Sequence, residues 1–334
     1  MIDGRTENLR YRQDQLQSLH GKLREEAGVI CAAMSATSQA SAAEVETEYY
    51  LGMDAVRHFY ETLDFEKELD SEYLVANGKD NPFRRVGAGI VVIRPTTHTR
   101  FYSIVCPLAA AISAGNAVIL EVSRREGKAL RQEAKFPGQL QDTISQLDSA
   151  LRTILAKALD VNVFYISKVV AERSLLEAAV LVDQTGATAP SSRRILSSSS
   201  GRAIAVVDRT ADIEAAAKSI TKARFSFGGT SPYAPDLVLV NEFVKQEFFE
   251  ACSRYATLSF ARENVTKRVS LNQSEETKKL VREAETKRQV SSFGSEDFKL
   301  IDISEKSAII SVQRKSCQYR LLIRAGAPRL RESR

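Results

Sequence analysis

An α/β fold with a doubly wound sheet is predicted for this 334-residue chain by two patterns and a length. Continuous β-branched and aliphatic runs recur at 86–93, 117–120, 161–166, 203–207 and 237–240, with helix-period segments between them. Unbroken Val/Ile runs separated by helices mark parallel strands covered on both faces. The length, with 43% hydrophobic residues, suffices for two cores, so two domains are expected.

In chain order, Leu9, Leu16, Leu19, Leu23, Ala27 and Ile30 fall on one face of a first helix. Val45, Tyr49, Met53, Val56, Tyr60 and Leu63 fall on one face of a second. The strand runs at 86–93 and 117–120 follow. Leu140, Ile144, Leu147, Leu151, Ile154 and Ala158 then define a strongly periodic helix that ends near Asp160, before the strand run at 161–166. Ser197-Ser-Ser-Ser-Gly201 is the candidate linker. It divides the chain into 1–196, with N-terminal helices and the first sheet, and 197–334. Residues 263–288 are charged and helix-prone, and are expected to form a solvated helix.

Lys and Arg number 47 against 42 Asp and Glu, a net charge of +5 spread along the chain. Single-stranded nucleic-acid binding calls for basic residues interleaved with stacking aromatics. The Arg-rich tail has only Tyr319, so no nucleic-acid partner is expected. Cys31, Cys106, Cys252 and Cys317 are isolated from one another, as are His20, His58 and His98, which predicts neither a metal site nor a disulfide framework. Met1 opens onto polar sequence and no apolar run is long enough to span a bilayer, so a cytoplasmic protein without a membrane anchor is expected.

Five segments resemble the aldehyde dehydrogenase superfamily. Phe227-Gly-Gly-Thr-Ser-Pro-Tyr-Ala-Pro-Asp236, followed by a strand run, resembles the family's N-x-G-Q-x-C-x-A-P-x nucleophile loop, and places Pro232 at the cysteine. Gly201-Arg-Ala-Ile-Ala-Val-Val207 with Ala211-Asp-Ile-Glu-Ala-Ala-Ala217 resembles the segment carrying the general base, and places Ser198 at the glutamate. Ile93-Arg-Pro-Thr-Thr-His98 and Cys106-Pro-Leu-Ala-Ala-Ala-Ile-Ser-Ala-Gly-Asn-Ala-Val-Ile-Leu-Glu121 resemble the P-W-N turn and the P-L-x-x-A-I-A-A-G-N-x-V-V-L-K element. His98 then takes the place of the oxyanion-holding asparagine, and Glu121 that of the cofactor-ribose lysine. Tyr165-Ile-Ser-Lys-Val-Val-Ala-Glu172 resembles F-T-G-S-x-x-x-G with both glycines replaced, which leaves Ser167 and Lys168 as cofactor-side positions.

The resemblance is similar in character to the class 3 branch, which handles fatty and aromatic aldehydes. It runs from about residue 5 to 245 and returns in a late catalytic-domain segment between Asp302 and Ile323. It implies a Rossmann-type parallel-sheet domain, a truncated α/β catalytic domain, NAD or NADP as cofactor, an aldehyde or related small molecule as ligand, and a homodimer or related subunit as partner. The family's E-I-F-G-P motif, final glycine-rich segment and dimerisation strand have no counterpart, so a shortened chain is expected.

Proline carries neither a nucleophile nor an N–H, and a serine hydroxyl does not relay a proton as a carboxylate does. The expectation is therefore a catalytically inactive member acting by ligand binding or subunit pairing. The alternative is an NAD(P)-dependent oxidoreductase with relocated groups, either Cys106 with His98 or Ser231 beside Pro232.

Overall fold

The computed structural model describes residues 4–38, 40–80, 86–96, 98–121, 137–167, 173–185, 194–197, 203–229, 231–235, 237–261, 291–294, 298–304, 307–314 and 317–325. The expected helix at 263–288 lies outside them. The chain divides into two compact units, residues 1–38 with 42–200, and residues 39–41 with 201–334.

The first unit opens with α1 (Leu9–Glu25), α2 (Ala27–Thr37), α3 (Ala42–Glu61) and α4 (Phe65–Ala76). The Asn8 side chain starts α1 by accepting from the N–H groups of Arg10 (2.9 Å) and Tyr11 (3.3 Å). The apolar stripe read as one helix is two, because the backbone leaves helical geometry at Glu26 (φ −97°, ψ 17°). The stripe nevertheless keeps its phase across the break. Leu16, Leu19 and Leu23 on α1 and Ile30 on α2 are all fully buried.

A five-stranded sheet follows: β1 (Ile90–Arg94), β2 (Ala117–Glu121), β3 (Phe164–Ser167), β4 (Val180–Asp183) and β5 (Ile195–Ser197). Its order is β3-β2-β1-β4-β5 and every pairing is parallel. Three helices lie between strands in sequence: α5 (Arg100–Ser113), α6 (Pro137–Ala158) and α7 (Arg173–Ala178).

Helix α5 buries Phe101, Ile104, Val105, Leu108 and Ile112. It contains Pro107, which cannot donate to the carbonyl one turn back. That carbonyl, on Ser103, instead accepts from the Gln184 side-chain amide just after β4, at 2.9 Å. The Ala-Gly-Asn turn into β2 works through Gly115 at φ +77° and the Asn116 amide. Asn116 Oδ1 accepts from Gly89 N–H at 3.0 Å and its Nδ2 donates to Ala111 O at 3.2 Å, locking α5 to the start of β1.

In the second unit, β6 (Ile204–Val207), α8 (Ile213–Phe225), β7 (Leu237–Val240) and α9 (Lys245–Ala261) precede β8 (Ser291–Gly294), β9 (Phe298–Ser304), β10 (Ser307–Arg314) and β11 (Cys317–Ala325). The sheet order is β6-β7-β11-β10-β9-β8. β7 pairs in parallel with both β6 and β11, while β8 to β11 form an antiparallel meander. Val207, Val238, Val240 and Ile323 form one core with Ile213, Ala217 and Phe225 of α8 and Phe248, Ala251, Cys252 and Ala256 of α9.

The expectation of strands covered on both faces is corrected here. Both helices pack on one side, and Ile204 and Val206 of the edge strand β6 are 54% and 74% exposed. Among the described residues no helix is long and apolar enough to cross a membrane.

Candidate functional site

A parallel sheet delivers all its strand C-termini to one edge, and ligands of open α/β sheets bind there, where the strand order reverses. In this chain the reversal lies between β1 and β4. The register sets Arg94 beside Asp183 across that point, and Glu121 beside Ser167 between β2 and β3. Arg94 precedes Pro95, which holds it extended.

Arg94 Nε donates to Glu121 Oε2 at 2.8 Å, and its Nη1 lies 3.7 Å from Asp183 Oδ2. The Arg94 side chain is 7% exposed and the two carboxylates 1% each. Asp183 Oδ1 also accepts from the Thr185 N–H (2.9 Å) and hydroxyl (2.6 Å). Gln184 N–H donates to Arg94 O at 3.0 Å. One guanidinium thus serves two carboxylates, an arrangement whose burial is tolerable only because each charge is paired and hydrogen-bonded.

The loop from β1 to α5 carries His98. Arg100 fixes it by donating from Nη1 to the carbonyls of Pro95 (3.0 Å) and Thr96 (3.3 Å). The same guanidinium forks onto Asp148 of α6, Nε to Oδ1 at 3.1 Å and Nη2 to Oδ2 at 3.2 Å. Thr99 closes the loop in a left-handed conformation at φ 41°. His98 is half-buried, its N–H donates to Thr96 Oγ1 at 3.3 Å, and burial lowers its imidazole pKa. Burial thus favours the neutral ring.

Helix α5 begins under a buried carboxylate. Glu48 of α3, 4% exposed, accepts with one oxygen from the N–H groups of Phe101 (2.9 Å) and Tyr102 (3.2 Å). Those bonds favour the ionised form, but desolvation outweighs them and raises Glu48 to about 6. One turn along the same helix, the Cys106 thiol is hydrogen-bonded to the Tyr102 hydroxyl, which that bond and burial push up to about 12. Cys106 is half-buried.

Pro232 lies in the second unit, in an exposed turn closed by a 3.4 Å bond from Ala234 N–H to Ser231 O. The Ser231 hydroxyl accepts from Tyr233 N–H at 3.3 Å, as a turn-stabilising serine does. Ser198 and Lys168 lie outside the described residues. Among the described residues no group of three or more His, Cys, Asp or Glu is placed to hold a metal.

Arg94, Asp183, Gln184 and Glu48 were not singled out from the sequence. The available signal was a charge interrupting an apolar pattern. Arg94 and Asp183 end strand runs, and Glu48 sits on the buried stripe of α3 with Val45, Tyr49 and Val56.

The described architecture is also that of known proteins. Staphylococcus aureus AldH in a substrate-bound state superposes with a TM-score of 0.60 at 17% identity, covering 87% of this chain and 63% of that one. The NAD-dependent benzaldehyde dehydrogenase of Corynebacterium glutamicum gives 0.56 at 15% identity, covering 87% and 64%. A mutant of the Pseudomonas syringae aldehyde dehydrogenase AldC, complexed with NAD+ and octanal, gives 0.53 at 18% identity, covering 74% and 49%. This chain therefore spans between half and two thirds of the length of these relatives. No curated protein sequence matches it. The sequence model of the aldehyde dehydrogenase family matches residues 5–302, well past the point near 245 where the motif resemblance thins. With the family's sequence pattern over most of its length and the family's fold, this chain belongs to the aldehyde dehydrogenase family.

Proposed function

We propose that this chain is an aldehyde dehydrogenase-family protein that has lost the acyl-thiol chemistry and acts in the cytoplasm by binding a small aldehyde-like ligand or by pairing with a second copy or a related subunit. Pro232 at the nucleophile position carries the reading. Covalent aldehyde oxidation begins with thiolate attack on the carbonyl, and the exposed turn at Pro232 offers a ring with neither thiol nor N–H. The nearby Ser231 hydroxyl accepts from Tyr233 N–H within its own turn.

The alternative, an NAD(P)-dependent oxidoreductase working through Cys106, finds less support. The thiol's hydrogen bond is to the Tyr102 hydroxyl, a poor base at neutral pH. Nucleic acid is not proposed as a partner, since the basic residues are spread along the chain rather than gathered.

The deciding experiment is aldehyde-dependent NAD(P)H formation by the purified chain with aliphatic and aromatic aldehydes. The expected outcome is no turnover above the enzyme-free rate. Turnover abolished by Cys106→Ser would overturn the proposal and establish the relocated site. A Pro232→Cys, Ser198→Glu variant that gains turnover would show that the lost groups alone account for the silence.

A further inference from the structure

We infer that the ligand edge of the first sheet is closed to nicotinamide dinucleotides by the buried Arg94–Glu121–Asp183 network, in which Arg94 and Glu121 form a matched pair that can only be changed together. This goes beyond the loss of acyl chemistry, because a protein without a nucleophile can still bind the cofactor.

A dinucleotide brings an anionic pyrophosphate, and an α/β sheet receives it with two kinds of positive feature at the strand ends: a helix N-terminus and free backbone N–H groups or cations. At the start of α5 and just after β4, the described features of this kind are already matched by internal acceptors. The N-terminus of α5 is filled by the Glu48 carboxylate, which takes the N–H groups of Phe101 and Tyr102. The Thr185 N–H goes to Asp183 Oδ1 and the Gln184 N–H to Arg94 O. Arg94 itself is spent on Glu121 at 2.8 Å and Asp183 at 3.7 Å. Two carboxylates against one guanidinium leave no surplus cation in the trio to attract pyrophosphate.

Glu121 stands where the resemblance places a lysine for the cofactor's ribose. That carboxylate is 1% exposed, so it can reach ribose hydroxyls only by leaving the buried position in which it holds Arg94, which would then be left 7% exposed beside one remaining partner. The residues present do not fit the group.

The same geometry explains why restoring the family's lysine alone should fail. A lysine at 121 sets a second cation against Arg94 in a site closed to water, where like charges are costly. Removing the guanidinium as well lets that lysine pair with Asp183.

The test is titration calorimetry and thermal melting of the whole chain with NAD+, NADP+ and ADP-ribose at millimolar concentration, the cooperative melt confirming the folded state. The expected result is no saturable heat and no movement of Tm. A Tm rise of several degrees with any of the three would overturn the inference, since ligand binding to the folded state stabilises it by mass action. Binding seen without aldehyde turnover would sink this inference and leave the loss of chemistry standing, so the two fail separately. In parallel, Glu121→Lys should lower Tm by several degrees, and Arg94→Met added to it should recover most of the loss. A Glu121→Lys protein that melts like the wild type would also refute the matched pair.

Discussion

Glu48 and Phe101 are joined by a 2.9 Å hydrogen bond in which a buried carboxylate on one helix accepts from an N–H in the first turn of another. The bond fixes where α5 starts, and so where the loop bearing His98 ends. It also leaves a titratable group in the core. Glu48 is raised from its ordinary 4.5 to about 6, and therefore binds its proton more tightly folded than unfolded. Its contribution to stability is full below pH 4.5 and is lost as the pH rises through about 6, about 2 kcal/mol at about 1.4 kcal/mol per pH unit. Glu48→Gln keeps a carbonyl for the same N–H groups and does not ionise. Denaturant midpoints across this pH range should therefore be flatter in Glu48→Gln than in the wild type, and equal slopes would rule out Glu48 as the source. Glu48→Ala, which leaves both N–H groups bare, should lose about 1–3 kcal/mol at every pH.

Gly52 passes close to the ring of Phe101, and a Cβ at this position would collide with that ring. Phe101 is fully buried and stacked on Tyr49, with centroids 5.6 Å apart, so it has nowhere to retreat. Gly52→Ala should gain about 1 kcal/mol of helix propensity and lose about 1–3 kcal/mol to overpacking. A net fall in Tm is expected, and a rise would show that the ring can move.

Arg100 ties the loop carbonyls of Pro95 and Thr96 to Asp148, with both charged side chains about one-eighth exposed. Arg100→Ala leaves the Asp148 carboxylate without its fork and should cost about 2–4 kcal/mol. Double substitution with Asp148→Asn should recover part of that loss. Additive losses in the double-mutant cycle would mean that the pair contributes nothing.

Burial should slow the reaction of the Cys252 thiol. Burial pushes Cys252 up to about 12, and burial with the Glu46 carboxylate also raises Cys31. Because the thiolate is the nucleophile, Cys252 should alkylate at least about a hundredfold more slowly in the native protein than in the unfolded chain. Peptide mapping after a timed iodoacetamide pulse reads this directly, and early labelling of Cys252 would contradict the packing of α9.

The strands at β1, β2, β6 and β7 were legible because each is an unbroken aliphatic run, and β3 because Val163, Phe164, Tyr165 and Ile166 make an apolar one. β4 was not, since Ala179-Val-Leu-Val182 is as short as a helix turn and directly follows the α7 residues Leu175 and Leu176. The meander from β9 to β11 was seen only as a resembling segment, because its strands alternate residue types too weakly to stand out. At the site, Glu121 was visible as a charge ending a strand run. Its partner Arg94 and the further contact to Asp183 depend on register between strands far apart in sequence, which no local pattern encodes. Glu48 reads from the sequence as a polar residue within a packing stripe, and only the approach of α5 gives that carboxylate its role.

The pairing of β7 with β11 constrains how the protein comes to be folded. In the first unit, strands pair as soon as residues 90–197 exist, and each new strand finds a neighbour already made. In the second unit, Leu237 to Val240 must wait for Leu322 to Ala325 before the middle of the sheet can close. During synthesis β7 thus emerges with one side unmet, paired at most to β6, while the intervening residues are still being added. Such a delay exposes an apolar strand edge on the nascent chain, so yield in cells should depend on chaperone capacity during translation more than on the stability of the finished fold.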